Sequence, residues 1–239
     1  MTEDEFFGNI ARRLHRNAPL SIAPARDVVG APDFWSMYDL TKEERVQKFQ
    51  VELEKLGGLV SVHDDLPSLH TALRELLGSL SPQKVCAWGG DLPQEFGLDD
   101  ALTEFSVDYI VGDSQEQGTG EGDQESREAA LAMIAQADVG ITGCDYAVAD
   151  TGSVVLVGDV NKVRSISLLP SVHIVLLSAH QIKTRMGQVL SEVAILQKDA
   201  VRHAASVNFI SGPSRSSDIE NDLSIGVHGP ASVHALILL

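Results

Sequence analysis

The chain is short of cysteine, of aromatic residues and of positive charge. Only Cys86 and Cys144 occur in 239 residues, without a Cys-x-x-Cys pair or a Cys/His set at metal-ligand spacing. Iron–sulfur clusters ordinarily take about four Cys ligands. The chain by itself is therefore expected to hold no cluster, no other metal and no cofactor. Lys and Arg number 18 against 34 Asp and Glu, a formal net charge of −16. Binding to nucleic-acid phosphates needs a basic footprint, and anionic membrane surfaces repel an acidic chain. Neither nucleic acid nor membrane is an expected partner. No run of about 18 apolar residues is present. The acidic opening Met1-Thr2-Glu3-Asp4-Glu5 lacks the basic and apolar regions of a secretory signal. No Gly-x-Gly-x-x-Gly loop follows an apolar strand-like run. A cytoplasmic protein with free thiols is the expectation.

What the chain has is aliphatic residues. Hydrophobic residues make up 44% and aromatics 5%, a balance of Val, Leu and Ala that suits buried parallel strands covered by helices. Apolar, β-branched runs at 59–63, 84–88, 107–111, 139–142, 154–157, 172–177, 206–210 and 233–238 read as strands. Between them lie helical patterns. Thr41-x-x-Glu44 is a capping box before a helix with Val46, Phe49, Leu53 and Leu56 on one face. Residues 66–80, 126–137, 182–196 and the short stretch 215–221 also read as helical. Strands alternating with helices predict an α/β fold with a mostly parallel, open sheet and helices on both faces. A hairpin-like segment near 150 adds an antiparallel pair and makes the sheet mixed. Residues 1–40, opened by the capping box Thr2-x-x-Glu5, form an N-terminal helical arm, and 41–239 form the α/β domain. Residues 91–128 hold twelve acidic side chains and one basic one, Arg127. The Gly-rich part at 112–123 reads as a mobile acidic loop, either a docking surface for a basic partner or a solubility device.

Two polar segments stand out against this apolar pattern. The first, Gly140 to Gly158, brings Asp150, Thr151, Gly152 and Ser153 to a sharp turn between apolar runs, with Thr142 just upstream. Its plainer reading is an ordinary hairpin turn. The second, Ile210 to Pro230, packs Ser211, Gly212, Ser214, Arg215, Ser216, Asp218, Glu220, His228 and Gly229 behind a strand end. A strand that breaks into Gly-Pro-Ser-Arg and restarts as a helix presents N–H groups, hydroxyls and a guanidinium to an anion. Ser217-x-x-Glu220 is equally a capping box, and Arg215 is equally a structural partner of Asp218 or Glu220. Asp150, Glu220 and His228 are the candidates for proton transfer. The other residues are candidates for ligand binding. The strand ends at Ile141, Val148 and Ile210 are expected to open onto one cleft, because ligands in open α/β sheets sit at strand carboxyl ends.

Four motifs then occur in order: ADTGS at 149–153, SLLP at 167–170, SRSSDIE at 214–220 and GVHGP at 226–230. Together they resemble the LUD-domain family, to which lactate-utilization protein C (LutC, YkgG) belongs. The resemblance covers the whole chain loosely and 125–239 well. Family members carry Thr-Ala where this chain has Ser216-Ser217, so a hydroxyl survives at 216. The resemblance implies a fold related to the NagB/RpiA/CoA-transferase group. It also implies a role in oxidising L-lactate to pyruvate alongside iron–sulfur partner proteins. The residues themselves leave two other classes open. One is a free-standing enzyme or binding protein for a phosphorylated or carboxylated small molecule, such as a sugar phosphate or CoA-type ligand. The other is a non-catalytic scaffold using the acidic region and the basic N-terminal helix.

Overall fold

The computed structural model describes residues 2–19, 38–110, 121–158, 162–196, 206–217 and 223–239. The chain divides into two compact units, Met1–Asp39 and Leu40–Leu239. In the first, helix α1 (Glu3–Arg13) starts at the expected capping box: Thr2 accepts from the Glu5 N–H while the Glu5 carboxylate accepts from the Thr2 N–H. Arg12 and Arg13 lie in its last turn, where the helix dipole favours cations.

The second unit is an α/β structure around a six-stranded sheet, all of it parallel. Its strands are β1 (Leu59–His63), β2 (Val85–Trp88), β3 (Val107–Ile110), β4 (Val139–Thr142), β7 (Val172–Ser178) and β12 (Ser232–Leu238), in the order β1-β12-β7-β4-β2-β3. All four residues of β2 and of β4 are buried, whereas the edge strand β1 is not. That is why the inner strands read as unbroken apolar runs: both of their faces are covered. Connections run one way from β2 to β3 and the other way from β4 through β7 to β12. The strand order therefore reverses between β2 and β4.

The antiparallel strands form a sheet of their own instead of joining the first. Its order is β8 (Ile182–Lys183), β5 (Tyr146–Val148), β6 (Ser153–Gly158) and β9 (Ser206–Ile210), with β5/β6 and β6/β9 antiparallel and β5/β8 parallel. Alternation splits its two faces. Ala147, Val154 and Leu156 join the main core, while Val148 and Val155 pack with Val189 and Val193 of α7 (Met186–Leu196). Helix α2 (Lys42–Lys55) has its predicted capping box and buries Val46, Phe49 and Leu53. Helix α3 (Leu66–Leu80) buries Leu69, Leu73 and Leu77. Two one-turn helices, α4 (Leu92–Glu95) and α5 (Leu98–Ala101), and helix α6 (Glu121–Ala135) complete the described helices.

Three expectations need correction. The helix foreseen from Arg215 does not start there: Arg215–Ser217 is strand β10, paired antiparallel with β11 (Leu223–Ile225). Ser-Arg-Ser-Ser has little helix propensity of its own, and antiparallel pairing with the segment 223–225 decided its state. The helix foreseen from 182 starts at Met186, because Ile182 and Lys183 pair with Ala147 and Val148. Residues 121–123, placed in the acidic loop, belong to α6, and the loop's residues 112–120 lie outside the described residues.

Candidate functional site

The ADTGS turn is built against a helix. Strand β5 ends at Val148, a 3-10 turn covers Ala149–Thr151, and β6 starts at Ser153. Gly152 has φ +57°, and a Cβ placed on it would lie 2.3 Å from the Leu53 nitrogen and 2.6 Å from the Glu52 carbonyl carbon. Both are backbone atoms of α2, so the turn lies on the helix at a distance that only glycine permits. This contact delivers Asp150 to two cations. Lys48 Nζ stands 3.7 Å from Oδ1, and Arg185 Nε stands 3.7 Å from Oδ2. The Asp150 N–H donates to the Thr184 carbonyl at 3.1 Å, which fixes the backbone beneath the carboxylate. Side-chain exposure is 30% for Asp150, 32% for Lys48 and 12% for Arg185. Lys48 is also 3.9 Å from Glu52, which Lys55 holds at 2.9 Å. That Lys55 hydrogen bond keeps the Glu52 carboxyl below its usual range.

The hydroxyls next to Asp150 bond to one another. Thr151 Oγ1 and Ser153 Oγ share a hydrogen bond of 2.8 Å, and Ser153 Oγ and Ser211 Oγ share one of 2.6 Å. They tie the ADTGS turn to the end of β9, as the Val154↔Ile210 register requires. Gly212, at φ +100°, follows against the Leu56 carbonyl. The Arg215 guanidinium donates to that same carbonyl, at the C-terminal end of α2. A cation there satisfies an orphan helix carbonyl and the negative end of the dipole. Arg215 thus sits at a helix C-terminus, not at the helix start foreseen for it.

Ser214 joins the two remaining motifs. Its N–H donates to the Pro230 carbonyl at 2.8 Å, and its carbonyl accepts from the Gly226 N–H at 2.9 Å. A Cβ on Gly229 would lie 3.3 Å from the Ser214 Cβ. Ser216 pairs with Ser224 across β10 and β11. His228 is exposed. Asp218 and Glu220 lie outside the described residues.

The structure therefore gathers Asp150, Thr151, Gly152, Ser153, Ser211, Gly212 and Arg215 along one side of α2. Asp150 stands at Lys48 and Arg215 at Leu56, eight residues apart, or about 12 Å of helix. Thr142 is not part of this group. It is buried on the other sheet, where its Oγ1 lies 2.8 Å from His173 Nε2. The ends of β5 and β9 meet, but the end of β4 is turned into the core. Burial alone pushes His173 down to about 4, and its Nδ1 has no partner. An orphaned acceptor costs less than an orphaned N–H, which places the proton on Nε2, donating to Thr142.

Sequence reading missed Lys48 and Arg185. Lys48 lies in the helix recognised by Val46, Phe49, Leu53 and Leu56, and that apolar pattern says nothing of its polar side chains. Arg185 stood within a stretch read as helix. Only the β5/β8 pairing brings Arg185 to Asp150, and no local pattern encodes it. A second polar cluster marks the reversal between β2 and β4: Asp145 pairs with Lys162 and accepts from the Val157 N–H at 2.7 Å. Trp88 Nε1 donates to the Val163 carbonyl at 3.0 Å, so these side chains fasten the 162–163 segment over the strand ends. Among the described residues, no three His, Cys, Asp or Glu side chains group as a metal's ligands would.

The sequence model of the LUD domain matches residues 46–238, from α2 to the last residue of β12. The chain belongs to the LUD domain family. Relatives within reach of this LUD chain carry the name lactate utilization protein C. The protein of Halalkalibacterium halodurans is 32% identical, over 95% of this chain and 93% of its own length. That of Shouchella clausii is 31% identical over 95% and 93%, and that of Bacillus subtilis 28% over 99% and 95%. The crystal structure of a DUF162 family protein from Deinococcus radiodurans superposes with a TM-score of 0.53 at 17% identity. It covers 84% of this chain and 99% of its own, a likeness of fold.

Proposed function

We propose that this LUD chain acts in the oxidation of L-lactate to pyruvate, in the cytoplasm, beside separate iron–sulfur proteins. The observation that carries the reading is the near end-to-end match to proteins named lactate utilization protein C. Its chemistry fits the residues. Removing two electrons from a 2-hydroxy acid requires an acceptor. This chain offers two thiols, fewer than a cluster ordinarily takes, and both are buried. Desolvation pushes the Cys86 thiol up to about 12 and raises Cys144 as well, so neither is a ready thiolate. Electrons therefore leave on other subunits, and the acidic region around 91–128 is the surface for them. In this reading Asp150 accepts the substrate's proton, Glu220 and His228 assist, and the serine and threonine hydroxyls fix the turn. The test is an in-frame deletion. Growth on L-lactate should be lost and growth on pyruvate kept. Normal growth on L-lactate, in a strain with no other lactate dehydrogenase, refutes the role.

A second reading has one observation in its favour, the pair of cations around Asp150. It is a free-standing enzyme or binding protein for a carboxylated or phosphorylated small molecule. Loss of a function other than lactate growth in the same deletion strain would select it.

A further inference from the structure

We propose that β1 is a docking edge for a second copy of this chain, the two β1 strands pairing antiparallel about a two-fold axis at Ser61. The idea goes beyond the lactate reading and does not depend on it.

The hydrogen bonds of β1 carry the argument. It is an end strand, paired only with β12 among the described residues. The His63 carbonyl accepts from the Leu239 N–H at 3.0 Å, on the β12 side. In a parallel ladder a residue's N–H and C=O point to one side, and successive residues alternate. Leu59, Ser61 and His63 therefore face β12, while Val60 and Val62 present N–H and C=O to the open side. Folded proteins blunt such an edge with a charge, a proline or a bulge. Leu-Val-Ser-Val-His contains no Lys, Arg, Asp, Glu or Pro, and its register with β12 is unbroken. The opposite end strand, β3, carries Asp108. Leu59 is 55% exposed and Val62 37%, which leaves apolar surface at an unprotected edge.

Self-pairing satisfies this edge completely. With Ser61 opposite Ser61, Val60 of each copy lies opposite Val62 of the other. Outward-facing residues opposed in this way exchange both of their N–H···O=C bonds, so four hydrogen bonds close. On one face Val62 is covered by Val60 of the second copy. On the other, Leu59 gains His63 of the second copy as its cross-strand neighbour. That face borders a groove of about 330 Å³, lined by Leu59, Ser61 and His234 and, from α3, by Glu75 and Leu76.

Charge selects the direction of pairing. Asp64 and Asp65 follow β1. Arg215 stands before it, where a Cβ on Gly57 would lie 2.8 Å from the Arg215 Nη2. Arg215 is exposed, and its hydrogen bond goes to a neutral carbonyl, which leaves its charge in place. Antiparallel pairing brings the Asp64–Asp65 end of one copy to the Gly57–Arg215 end of the other, twice over. Parallel pairing would set like against like. Exposed ion pairs add little strength, so they fix orientation. Two chains of −16 repel each other, and an uncharged strand is where they can touch.

The experiment is sedimentation equilibrium of the full chain. At about 10–100 μM it should sediment at twice the mass of one chain. Raising the salt from about 0.05 to about 0.5 M should tighten the dimer about 3- to 10-fold, because screening weakens the repulsion. Val62→Lys charges the edge. Val62→Pro removes an outward N–H that the ladder with β12 does not use. Each should weaken association at least about 100-fold and leave thermal unfolding of the dilute chain little changed. Should both variants fail to fold, amide exchange of the wild type decides: the Val60 and Val62 N–H groups should be protected in the dimer and exchange freely on dilution. A chain monomeric at every salt concentration overturns the proposal. So does a dimer that folded Val62→Lys leaves intact, or a dimer whose Val60 and Val62 amides exchange freely. A monomer that instead takes up a Lys-Val repeat peptide along Val60 and Val62 overturns the choice of a second copy in favour of a basic foreign strand.

Discussion

Acidification tests the buried pair formed by His173 and Thr142. His173 is fully buried on β7, with one ring nitrogen on Thr142 and the other unpartnered. Burial lowers its pKa from 6.5 to about 4. Between those values the unfolded chain binds a proton that the folded chain refuses. The contribution of His173 is therefore complete above about pH 6.5, falls as the pH drops to about 4, and is flat below that. The drop from 6.5 to about 4, at ~1.4 kcal/mol per pH unit, amounts to about 3 kcal/mol. His63 and His234 are lowered by burial too and act in the same direction. Wild type alone does not isolate His173. The comparison is urea unfolding of wild type and His173→Gln at pH 7 and pH 4.5. Glutamine can still reach Thr142 and does not titrate. Wild type should lose about 2–3 kcal/mol more than the variant between the two pH values. Losses equal within about 0.5 kcal/mol would refute a buried, neutral His173.

Gly152→Ala places a Cβ against the backbone of α2 and forces alanine to φ +57°. The left-handed backbone costs about 1 kcal/mol and the overlap about 1–3 kcal/mol. The melting temperature should fall by about 5–15 °C, whereas Gly78→Ala in α3, where nothing lies within 4 Å, should be neutral or stabilising. Arg215→Ala removes the donor to the Leu56 carbonyl and should cost about 0.5–1.5 kcal/mol in urea unfolding.

The elements legible in the sequence are those set by local chemistry. Thr41 and Glu44 announce α2 because a capping box is completed within four residues. The central strands are legible because burial on both faces leaves 139–142 and 172–177 almost wholly apolar, with Thr142 and His173, bonded to each other, as the polar exceptions. Asp150 and Gly152 stood out for a turn, and a turn they form. What was not legible depends on pairing between segments, near or far. Arg215–Ser217 became a strand because Leu223–Ile225 lies beside it. Ile182 and Lys183 left their helical pattern for Ala147 and Val148. Lys48 and Arg185 are 137 residues apart and meet only at Asp150. Thr142 has the look of a strand-end hydroxyl, and its partner, His173, decided that it faces inward.

The glycine contact between the ADTGS turn and α2 has a mechanical side. Leu53 is the point where the helix rests on the turn. Lys48 lies five residues to one side, about 7.5 Å along the axis, and Leu56 three residues to the other, about 4.5 Å. With Val46, Phe49 and Leu53 buried in the core, the helix serves as a fixed ruler. It sets the spacing between the cation beside Asp150 and the carbonyl that holds Arg215.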